Sequence, residues 1–360
     1  MQTTHRFFHA NSDAIFPVKV PEKGIPNVYT QAEMLGGTFT RILHGLPQGS
    51  VANFSPCITK HKGKTYIAWR TQPEPFGFRY DNNYFYLNNT PTNVQIGLLH
   101  DDKTILGAKP LRPNKHRLSY EDPRLFVGPD DELYVQFVGS TYASQYNKGG
   151  AKLFDTPKVV VCHVDEKGDA VRAAIPPIGK NLEKGAVEKN WCFFSYKDEL
   201  RCLYSTRPLV FECEKGEKIT IDTDVLDEVT QGAPTFNSVA PIDLGYAFLI
   251  FYHWKHMVVT PEGFSYLQYH LSAYMIDKKF SKVTHLIKKP LFSGSLNDNL
   301  IRWTDYAGNP VSNQPAVILP FGAYVENTEL VMSLGVNDAF MGIFRCPLES
   351  IMRQLEPTHL

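Results

Sequence analysis

The stretch Asn53-Phe54-Ser55-Pro56-Cys57-Ile58 is followed, after a short polar turn, by Tyr66-Ile67-Ala68-Trp69-Arg70. This plan joins a turn with Asn or Pro, an apolar strand, a second turn and a strand with a polar end. Its further copies are Glu121-Asp122-Pro123-Arg124-Leu125-Phe126 with Leu133-Tyr134-Val135-Gln136-Phe137, Lys189-Asn190-Trp191-Cys192-Phe193-Phe194 with Leu200-Arg201-Cys202-Leu203-Tyr204, Ser238-Val239-Ala240-Pro241-Ile242 with Tyr246 to His253, and Gln314-Pro315-Ala316-Val317-Ile318 with Leu330 to Asp338. Repeated strand pairs at long, irregular spacing predict an all-β fold, a five-bladed β-propeller.

The length of 360 residues suits one such ring with its connecting loops. Residues 1–45 are predicted to form a lead-in packed on the propeller, and residues 46–346 the five-bladed catalytic domain. Residues 347–360 are predicted to be a short C-terminal helix and tail. Pro347 suits the first turn of that helix, and one face would carry the apolar residues Leu348, Ile351, Met352 and Leu355.

Charge and cysteine usage restrict the class of protein. Lys plus Arg and Asp plus Glu both total 37, so no global field favours nucleic acid or an anionic membrane. The six cysteines occur singly without CxxC spacing, which predicts buried free thiols. The first thirty residues lack the apolar core of a signal peptide, and no run of eighteen apolar residues is present. These features predict a cytoplasmic protein without a membrane partner.

Polar residues fall at equivalent ends of the repeats. They are Asn53, Arg70, Asp122, Lys189, Asn190, Arg207, His253 and Asp338. Each has a structural explanation when taken alone: the arginines can bridge blades, the histidine can lie in the core and the aspartates can cap turns. In a propeller, however, these ends converge on one axis. Together they predict a polar ring around a central cavity.

The tetrapeptide Glu121-Asp122-Pro123-Arg124 is the most specific local signal. The residue before proline avoids the α region, so Asp122 is expected to be extended and to project from the start of its strand. A carboxyl group at that position, facing the cavity, could act as a general acid. The structural alternative is that Asp122 caps a turn and forms an ion pair with Arg124.

These residues resemble those of glycoside hydrolase family 130, the mannoside phosphorylase family, and of the related protozoan mannosyltransferase/phosphorylase group. The similarity covers roughly residues 50 to 355. The resemblance implies a five-bladed propeller in which Asp122 is the one catalytic side chain. It would donate a proton to the glycosidic oxygen, by way of a hydroxyl of the bound mannose. Inorganic phosphate would attack the anomeric carbon from the opposite face and release α-mannose 1-phosphate.

The same resemblance implies roles for other positions. Asn53, Arg70 and Glu121 would contact the substrate, as would Asp338 in the segment Gly335-Val336-Asn337-Asp338. The phosphate-binding residues would be Lys189, Asn190, Arg207 and His253. Lys189 departs from the arginine usual in the family's phosphorylases and supplies a charge without the bidentate fork.

The main interpretation is an inverting phosphorylase of β-mannosides, with a mannose-containing oligosaccharide and phosphate as substrates. The alternatives are a β-mannosidase-type hydrolase, for which Glu188 could orient water, a β-mannosyltransferase using a nucleotide sugar, and a non-catalytic glycan-binding propeller. His61, His163, His256 and His270 lack metal-site spacing, so no metal or other cofactor is predicted. Homo-oligomerisation stays open.

Aromatic residues near the strand ends could serve as platforms for a pyranose ring or as packing between blades. They are Trp69, Tyr84, Tyr86, Trp191 and Trp254. The packing interpretation is favoured for Trp191. The polar and aromatic segment from Phe76 to Tyr84 is predicted to form a loop over the cavity.

Overall fold

The protein is represented by a computed structural model that describes residues 24–50, 52–72, 93–111, 118–141, 158–165, 190–259, 265–298 and 316–358. The backbone of 18–19, 78–81, 84–87 and 170–174 is also described. In these residues strands predominate and helices are few and short, so the all-β prediction is confirmed. No helix in this part of the chain combines the length and apolar character needed to cross a membrane.

The strands are numbered in chain order. The first ten are β1 (Val18–Lys19), β2 (Thr38–Arg41), β3 (Ala52–His61), β4 (Lys64–Gln72), β5 (Phe78–Asp81), β6 (Tyr84–Leu87), β7 (Asn93–Asp101), β8 (Thr104–Leu111), β9 (Leu118–Val127) and β10 (Leu133–Thr141). The next eight are β11 (Lys158–Val164), β12 (Ala170–Ala174), β13 (Cys192–Tyr196), β14 (Glu199–Thr206), β15 (Leu209–Cys213), β16 (Lys218–Ile221), β17 (Thr235–Asn237) and β18 (Ile242–Asp243). The last eight are β19 (Ala247–Val259), β20 (Ser265–Asp277), β21 (Val283–Ile287), β22 (Phe292–Ser293), β23 (Ile318–Glu326), β24 (Glu329–Val336), β25 (Phe340–Pro347) and β26 (Leu355–Pro357).

Four antiparallel four-stranded sheets have the plan of a propeller blade. Their strand orders are β3-β4-β7-β8, β9-β10-β11-β12, β13-β14-β15-β16 and β23-β24-β25-β2, and we number these blades one to four. The first two strands of each blade come from one predicted strand pair, because apolar and polar residues alternate in both strands and a short polar turn joins them.

The described residues form four such blades, so the prediction of five is corrected to four. The repeat from Ser238 to His253 belongs instead to an eight-stranded sheet, in which β19 and β20 are 13 residues long. Two short strands, β17 and β18, share one edge of β19, and the segment between them contains Pro241. Proline has no N–H group for a sheet ladder, which explains the interruption at this edge.

The sheets follow one another around a ring, which confirms a β-propeller arrangement. Blade one contacts blade two through β3 and β9, β9 contacts β13, and β14 contacts β17 of the eight-stranded sheet. β18 contacts β23 of blade four, and β23 returns to β3 of blade one. The last approach is close, since a Cβ on Gly322 would lie 2.4 Å from the backbone nitrogen of Ile58. Strand β2 pairs with β25, so residues from both ends of the ring share blade four.

The hydrophobic core lies between neighbouring sheets. For example, Phe211 of blade three packs on Phe280 beside the eight-stranded sheet, with ring centroids 4.9 Å apart. All six cysteines are free and buried, as predicted. Burial raises the pKa of the Cys57 thiol to about 12, so this group is neutral and packs as an apolar side chain.

The helices differ from the prediction in two ways. A helix α1 (Val28–Met34) lies in the lead-in, where none was predicted; Oδ1 of Asn27 caps it by accepting a bond from the Thr30 N–H, at 2.9 Å. After a second short helix, α2 (Asp227–Thr230), the predicted C-terminal helix begins after Pro347 but ends early, as α3 (Leu348–Met352). Leu355 belongs to strand β26 instead, because this segment pairs with β21.

Candidate active site

The same bulge shapes the inner strands of blades one and two. Ser55 and Pro56 together stand opposite Trp69, and Asp122 and Pro123 together stand opposite Phe137. Two residues facing one define a β-bulge. Ser55 and Asp122 both have φ of 51°, in the left-handed region. The expectation that Asp122 is extended is therefore wrong, because the bulge overrides the preference of a residue before proline.

Blade three also has a left-handed residue, which lies just before the start of β13. Asn190 has φ of 63°, and it lies two residues before Cys192, which pairs with Leu203. Asp122 likewise lies two residues before Arg124, which pairs with Gln136. In three successive blades a left-handed polar residue thus lies two positions before a paired residue of the inner strand.

Asp122 forms an ion pair with Arg70. Nη1 of Arg70 lies 3.2 Å from Oδ1 of Asp122, and the Ser55 hydroxyl donates to the same oxygen at 3.3 Å. Nη2 of Arg70 lies 3.5 Å from Oε1 of Glu121, and the guanidinium stands 4.7 Å from the centroid of the Phe54 ring. The Asp122 side chain is 20% exposed, so part of its carboxylate remains accessible.

Arg124 is not the partner of Asp122, so the ion pair of the structural alternative is not observed. The Arg124 side chain is buried and donates to the backbone oxygens of Ser238 and Asn237, the latter at 3.2 Å. Its guanidinium also lies 4.7 Å from the ring centroid of Phe321 in β23. Arg124 therefore ties blade two to the eight-stranded sheet and to blade four.

Asp338 reaches this cluster from a tight turn between β24 and β25. Asn337 and Asp338 have φ of 50° and 49°, and the Ala339 N–H donates to the Val336 oxygen at 3.0 Å. These features are those of a type I′ turn. Burial raises the pKa of Asp338 to about 6; Arg70 opposes this rise, while Asp122 and Glu121 add to it. The structure thus brings together Arg70, Glu121, Asp122 and Asp338.

The Asn53 side chain makes bonds within the protein. Its Oδ1 accepts a bond from Nε1 of Trp69 at 3.0 Å, and its Nδ2 donates to the Ser50 hydroxyl at 3.1 Å. The Asn53 N–H donates to the Ala339 oxygen at 3.2 Å, which fastens the turn of Asp338 to blade one. A direct contact of Asn53 with substrate stays a prediction.

His253 lies between two aromatic rings. Its ring is stacked on Phe236, with centroids 5.4 Å apart, and on Tyr269, at 6.2 Å, while its Nδ1 is 2.9 Å from the Ser238 hydroxyl. Burial raises the pKa of Tyr269, and the nearby charges of Asp338 and Asp122 raise it further. Tyr269 therefore stacks on His253 and also lies near the carboxylates of Asp122 and Asp338.

Two residues of this region, Tyr269 and Lys255, were not predicted from the sequence as site residues. Nζ of Lys255 lies 5.7 Å from the Tyr269 ring centroid and 5.8 Å from that of Phe236. Lys255 follows His253 by two residues in β19, so both side chains lie on one face of the strand. Because Lys255 and His253 are two positions apart in one continuous strand, the sequence could have indicated Lys255 as a neighbour of His253.

Arg207 forms ion pairs with two carboxylates. Its Nη1 and Nη2 both contact the carboxylate of Asp227, and its Nε lies 3.9 Å from Oδ1 of Asp224. Lys189 lies outside the described residues, as does Glu188. The grouping of Lys189, Asn190, Arg207 and His253 around one phosphate stays a prediction.

The three tryptophans in the described residues pack inside the protein rather than forming exposed platforms. Trp69, Trp191 and Trp254 are 0%, 4% and 3% exposed. Strands β5 and β6 form a two-stranded hairpin that begins within the predicted cavity loop and ends beyond it. The side chains of Tyr84 and Tyr86 lie outside the described part. The described residues contain no group of three or more His, Cys, Asp or Glu side chains placed to hold a metal.

Comparison with known proteins shows similarity at the level of structure. No protein-family model matches the sequence, and no curated protein sequence matches it. The β-1,2-mannobiose phosphorylase of Listeria innocua aligns with a TM-score of 0.54 and 15% identity, over 86% of this chain and 94% of the phosphorylase. MPT-1, a GDP-mannose-dependent mannosyltransferase of Leishmania mexicana, aligns with a TM-score of 0.53 and 11% identity, over 86% and 89% of the two chains.

A third solved structure aligns with a TM-score of 0.57 and 12% identity, over 92% of this chain and 97% of its own. It is described as belonging to the GH130 family of mannoside phosphorylases, which contains glycoside hydrolases that target β-1,2-mannosidic linkages in Candida mannan. One architecture thus serves phosphorylases, hydrolases and transferases among these proteins, so the fold leaves the reaction open. This chain has the fold of the GH130 mannoside phosphorylases and the related mannosyltransferases.

Proposed function

We propose that the protein is an inverting phosphorylase of β-mannosides. Asp122 is the general acid, phosphate is the nucleophile, and the products are α-mannose 1-phosphate and a shortened glycan. The observation that carries this proposal is the placement of Asp122, in a left-handed bulge and in contact with Arg70 and Ser55. A left-handed residue of this kind costs of order 1 kcal/mol, and such strain concentrates at functional sites.

The residues around Asp122 suit a sugar. Arg70 has several N–H donors in a fixed plane, and Glu121 and Asp338 supply carboxylate acceptors at the same place. Hydroxyl groups of a mannosyl unit can donate to these acceptors and accept from the guanidinium. The carboxyl of Asp122 then faces the glycosidic oxygen, to which it gives its proton directly or through a sugar hydroxyl.

Phosphate is assigned to the side of the site that contains His253. Asn190 occupies in blade three the position that Asp122 has in blade two. Lys255 and His253 lie on one face of β19, and Tyr269 links them to the carboxylate cluster. A neutral protein must concentrate its cations locally to bind an anion, and Lys255 adds to the predicted group. Phosphate is a co-substrate, and no cofactor is required.

Hydrolysis is the second candidate, and one observation favours it. The guanidinium of Arg207 is already paired with Asp227, so its charge is largely neutralised. With fewer available cations, water rather than phosphate would attack the anomeric carbon. Transfer from a nucleotide sugar and glycan binding without turnover are further alternatives, which the same assay separates.

The test is incubation with β-linked mannooligosaccharides in the presence and absence of inorganic phosphate. Mannose 1-phosphate that forms only with phosphate supports the phosphorylase. Free mannose at a rate independent of phosphate indicates the hydrolase and overturns the proposal. Elongation of an acceptor from GDP-mannose, without any sugar phosphate, indicates the transferase. No turnover with any of these substrates indicates a binding protein.

A further inference from the structure

Arg207 and Asp227 form a pair with the geometry of oxyanion binding. Both terminal nitrogens of Arg207 contact the Asp227 carboxylate, Nη1 at Oδ1 and Nη2 at Oδ2. Asp224 is a weaker neighbour, since its Oδ1 lies 3.9 Å from Nε and its side chain is 80% exposed. Nη2 donates a hydrogen bond to Oδ2, while Nη1 and Oδ1 form a close ion-pair contact. Arginine uses the same two terminal nitrogens to bind phosphate. The same donors cannot serve both anions at once.

Arg207 lies at the end of the ring where the candidate site is. It follows directly after β14, whose residue Leu203 pairs with Cys192 at the start of the inner strand β13. In blade one the end of β4 likewise pairs with the start of β3, which places Arg70 opposite Phe54. Nδ2 of Asn237 donates to the Leu203 oxygen at 3.1 Å, so the end of β14 adjoins the strand that precedes Ser238, the partner of His253.

The pair can open at modest cost. The side chain of Arg207 is 30% exposed and that of Asp227 is 41% exposed, so water can solvate both partners after separation. Ion pairs with this degree of exposure stabilise proteins only slightly. An anion that binds Arg207 must nevertheless displace the carboxylate and tolerate its negative charge nearby.

We propose that Asp227 competes with the phosphate co-substrate for Arg207 and thereby lowers the affinity of the site for phosphate. This inference rests on the proposed function, in which phosphate is the nucleophile. It makes Asp227 a determinant of how strongly phosphate competes with water. Asp227 acts through Arg207, without contact to the sugar or to Asp122.

The experiment compares Asp227→Asn with the wild type by calorimetric titration with inorganic phosphate and by the KM for phosphate. Removing the competing charge is expected to lower the Kd and the KM for phosphate by about threefold to tenfold. Asp224→Asn is the matched control and should change them by less than about twofold, because its contact with Arg207 is long and exposed. Asp227→Ser, which removes the charge with a smaller polar side chain, is the second variant.

Arg207→Met provides the epistasis test. It should weaken phosphate binding, and adding Asp227→Asn to Arg207→Met should give no gain. Two results overturn the inference even if the wild type forms mannose 1-phosphate. One is unchanged phosphate affinity in folded Asp227→Asn and Asp227→Ser. The other is a gain in phosphate affinity from Asp227→Asn that is as large in the Arg207→Met background as in the wild type. Tighter phosphate binding in these variants supports the inference even where a failure to form mannose 1-phosphate overturns the proposed function.

Discussion

Arg70 and Asp122 face each other across the boundary between blades one and two, with Nη1 of Arg70 3.2 Å from Oδ1 of Asp122. Each residue comes from the repeated strand pair, Arg70 from the second strand of blade one and Asp122 from the bulge of blade two. The guanidinium also lies beside Glu121 and within electrostatic reach of Asp338. One cation therefore contacts two carboxylates and lies near a third at the place assigned to the sugar.

The first prediction concerns Asp122→Asn. The amide keeps the size of the side chain and its acceptor oxygen but cannot donate the catalytic proton, so kcat should fall by about 10²-fold to 10⁴-fold. Binding of the mannoside, measured by calorimetry, should be largely retained. Ser55→Ala is the control, since it removes only the bond to Oδ1 and should cost less than about tenfold. More than a tenth of wild-type kcat in Asp122→Asn would show that another residue is the acid.

The second prediction concerns Arg70→Met. Its side chain is 11% exposed, and its removal leaves Glu121, Asp122 and Asp338 close together without their cation. Breaking a buried ion pair from one side lowers the free energy of unfolding by about 3 kcal/mol, which urea denaturation can measure. Adding Asp338→Asn should restore part of this loss, because one repelling charge is removed.

The control for Arg70→Met is Lys60→Met, which breaks the exposed pair of Lys60 and Glu326 between blades one and four. It should change the free energy of unfolding by less than about 1 kcal/mol. Equal losses in the two variants would mean that the carboxylates do not depend on Arg70.

Much of the arrangement of strands in each blade could be predicted, because it depends on residues that are close together in the sequence. Alternating apolar residues define the strands, and the turn sequences at Lys62, Asp131 and Lys197 join them with left-handed residues, of φ 47°, 56° and 51°. The polar strand ends also indicated the cluster of Arg70 and Asp122. These features depend on neighbours in sequence or on the next strand, which a pattern can reveal.

What could not be predicted depends on distant contacts. The left-handed bulge at Asp122 contradicts the local preference before proline and is set by pairing with β10. The bond pattern of Arg207 depends on Asp227, which is on a separate short helix. The eight-stranded sheet recruits β1 and β26 from opposite ends of the chain. No short motif encodes these pairings.

The third prediction concerns pH and Asp338. Its pKa is raised from 3.8 to about 6, so in this interval the folded protein keeps a proton that the unfolded chain has released. The contribution of Asp338 to stability is therefore greatest below pH 4 and falls as pH rises to about 6. Asp338→Asn should match the wild type in thermal stability below pH 4 and exceed it increasingly up to about pH 7. A constant difference across this range would contradict the assignment.

A companion variant separates charge from turn strain. Asp338→Gly places glycine at the second left-handed position of the type I′ turn, where it is favoured, and should be stable but inactive. Asp198→Gly is the control, because Asp198 has φ of 56° in an exposed hairpin turn. Asp198→Gly should relieve strain alone and leave turnover intact. Full activity in Asp338→Gly would remove Asp338 from the site.

The fourth prediction concerns closure of the ring. Arg345 of blade four binds Asp102 of blade one with Nε–Oδ2 at 2.6 Å and Nη2–Oδ1 at 3.0 Å, and it binds Glu329 at 2.9 Å. The bond to Asp102 is the main cause of the raised pKa of Arg345. Arg345→Met should lower the free energy of unfolding by about 1 to 2 kcal/mol, because the pair is bidentate and mostly buried. Asp102→Asn should cost a similar amount, and neither change should affect the KM for the mannoside.

The control for this closure is Arg353→Met, which removes an exposed pair with Glu349 within one helical turn. Its expected cost is below about 0.5 kcal/mol. The double variant Arg345→Met with Asp102→Asn should cost less than the sum of the single changes, since both remove the same contact. Strict additivity in urea denaturation would show that Arg345 and Asp102 do not couple, and that other contacts between blades one and four, such as the packing at Gly322, close the ring.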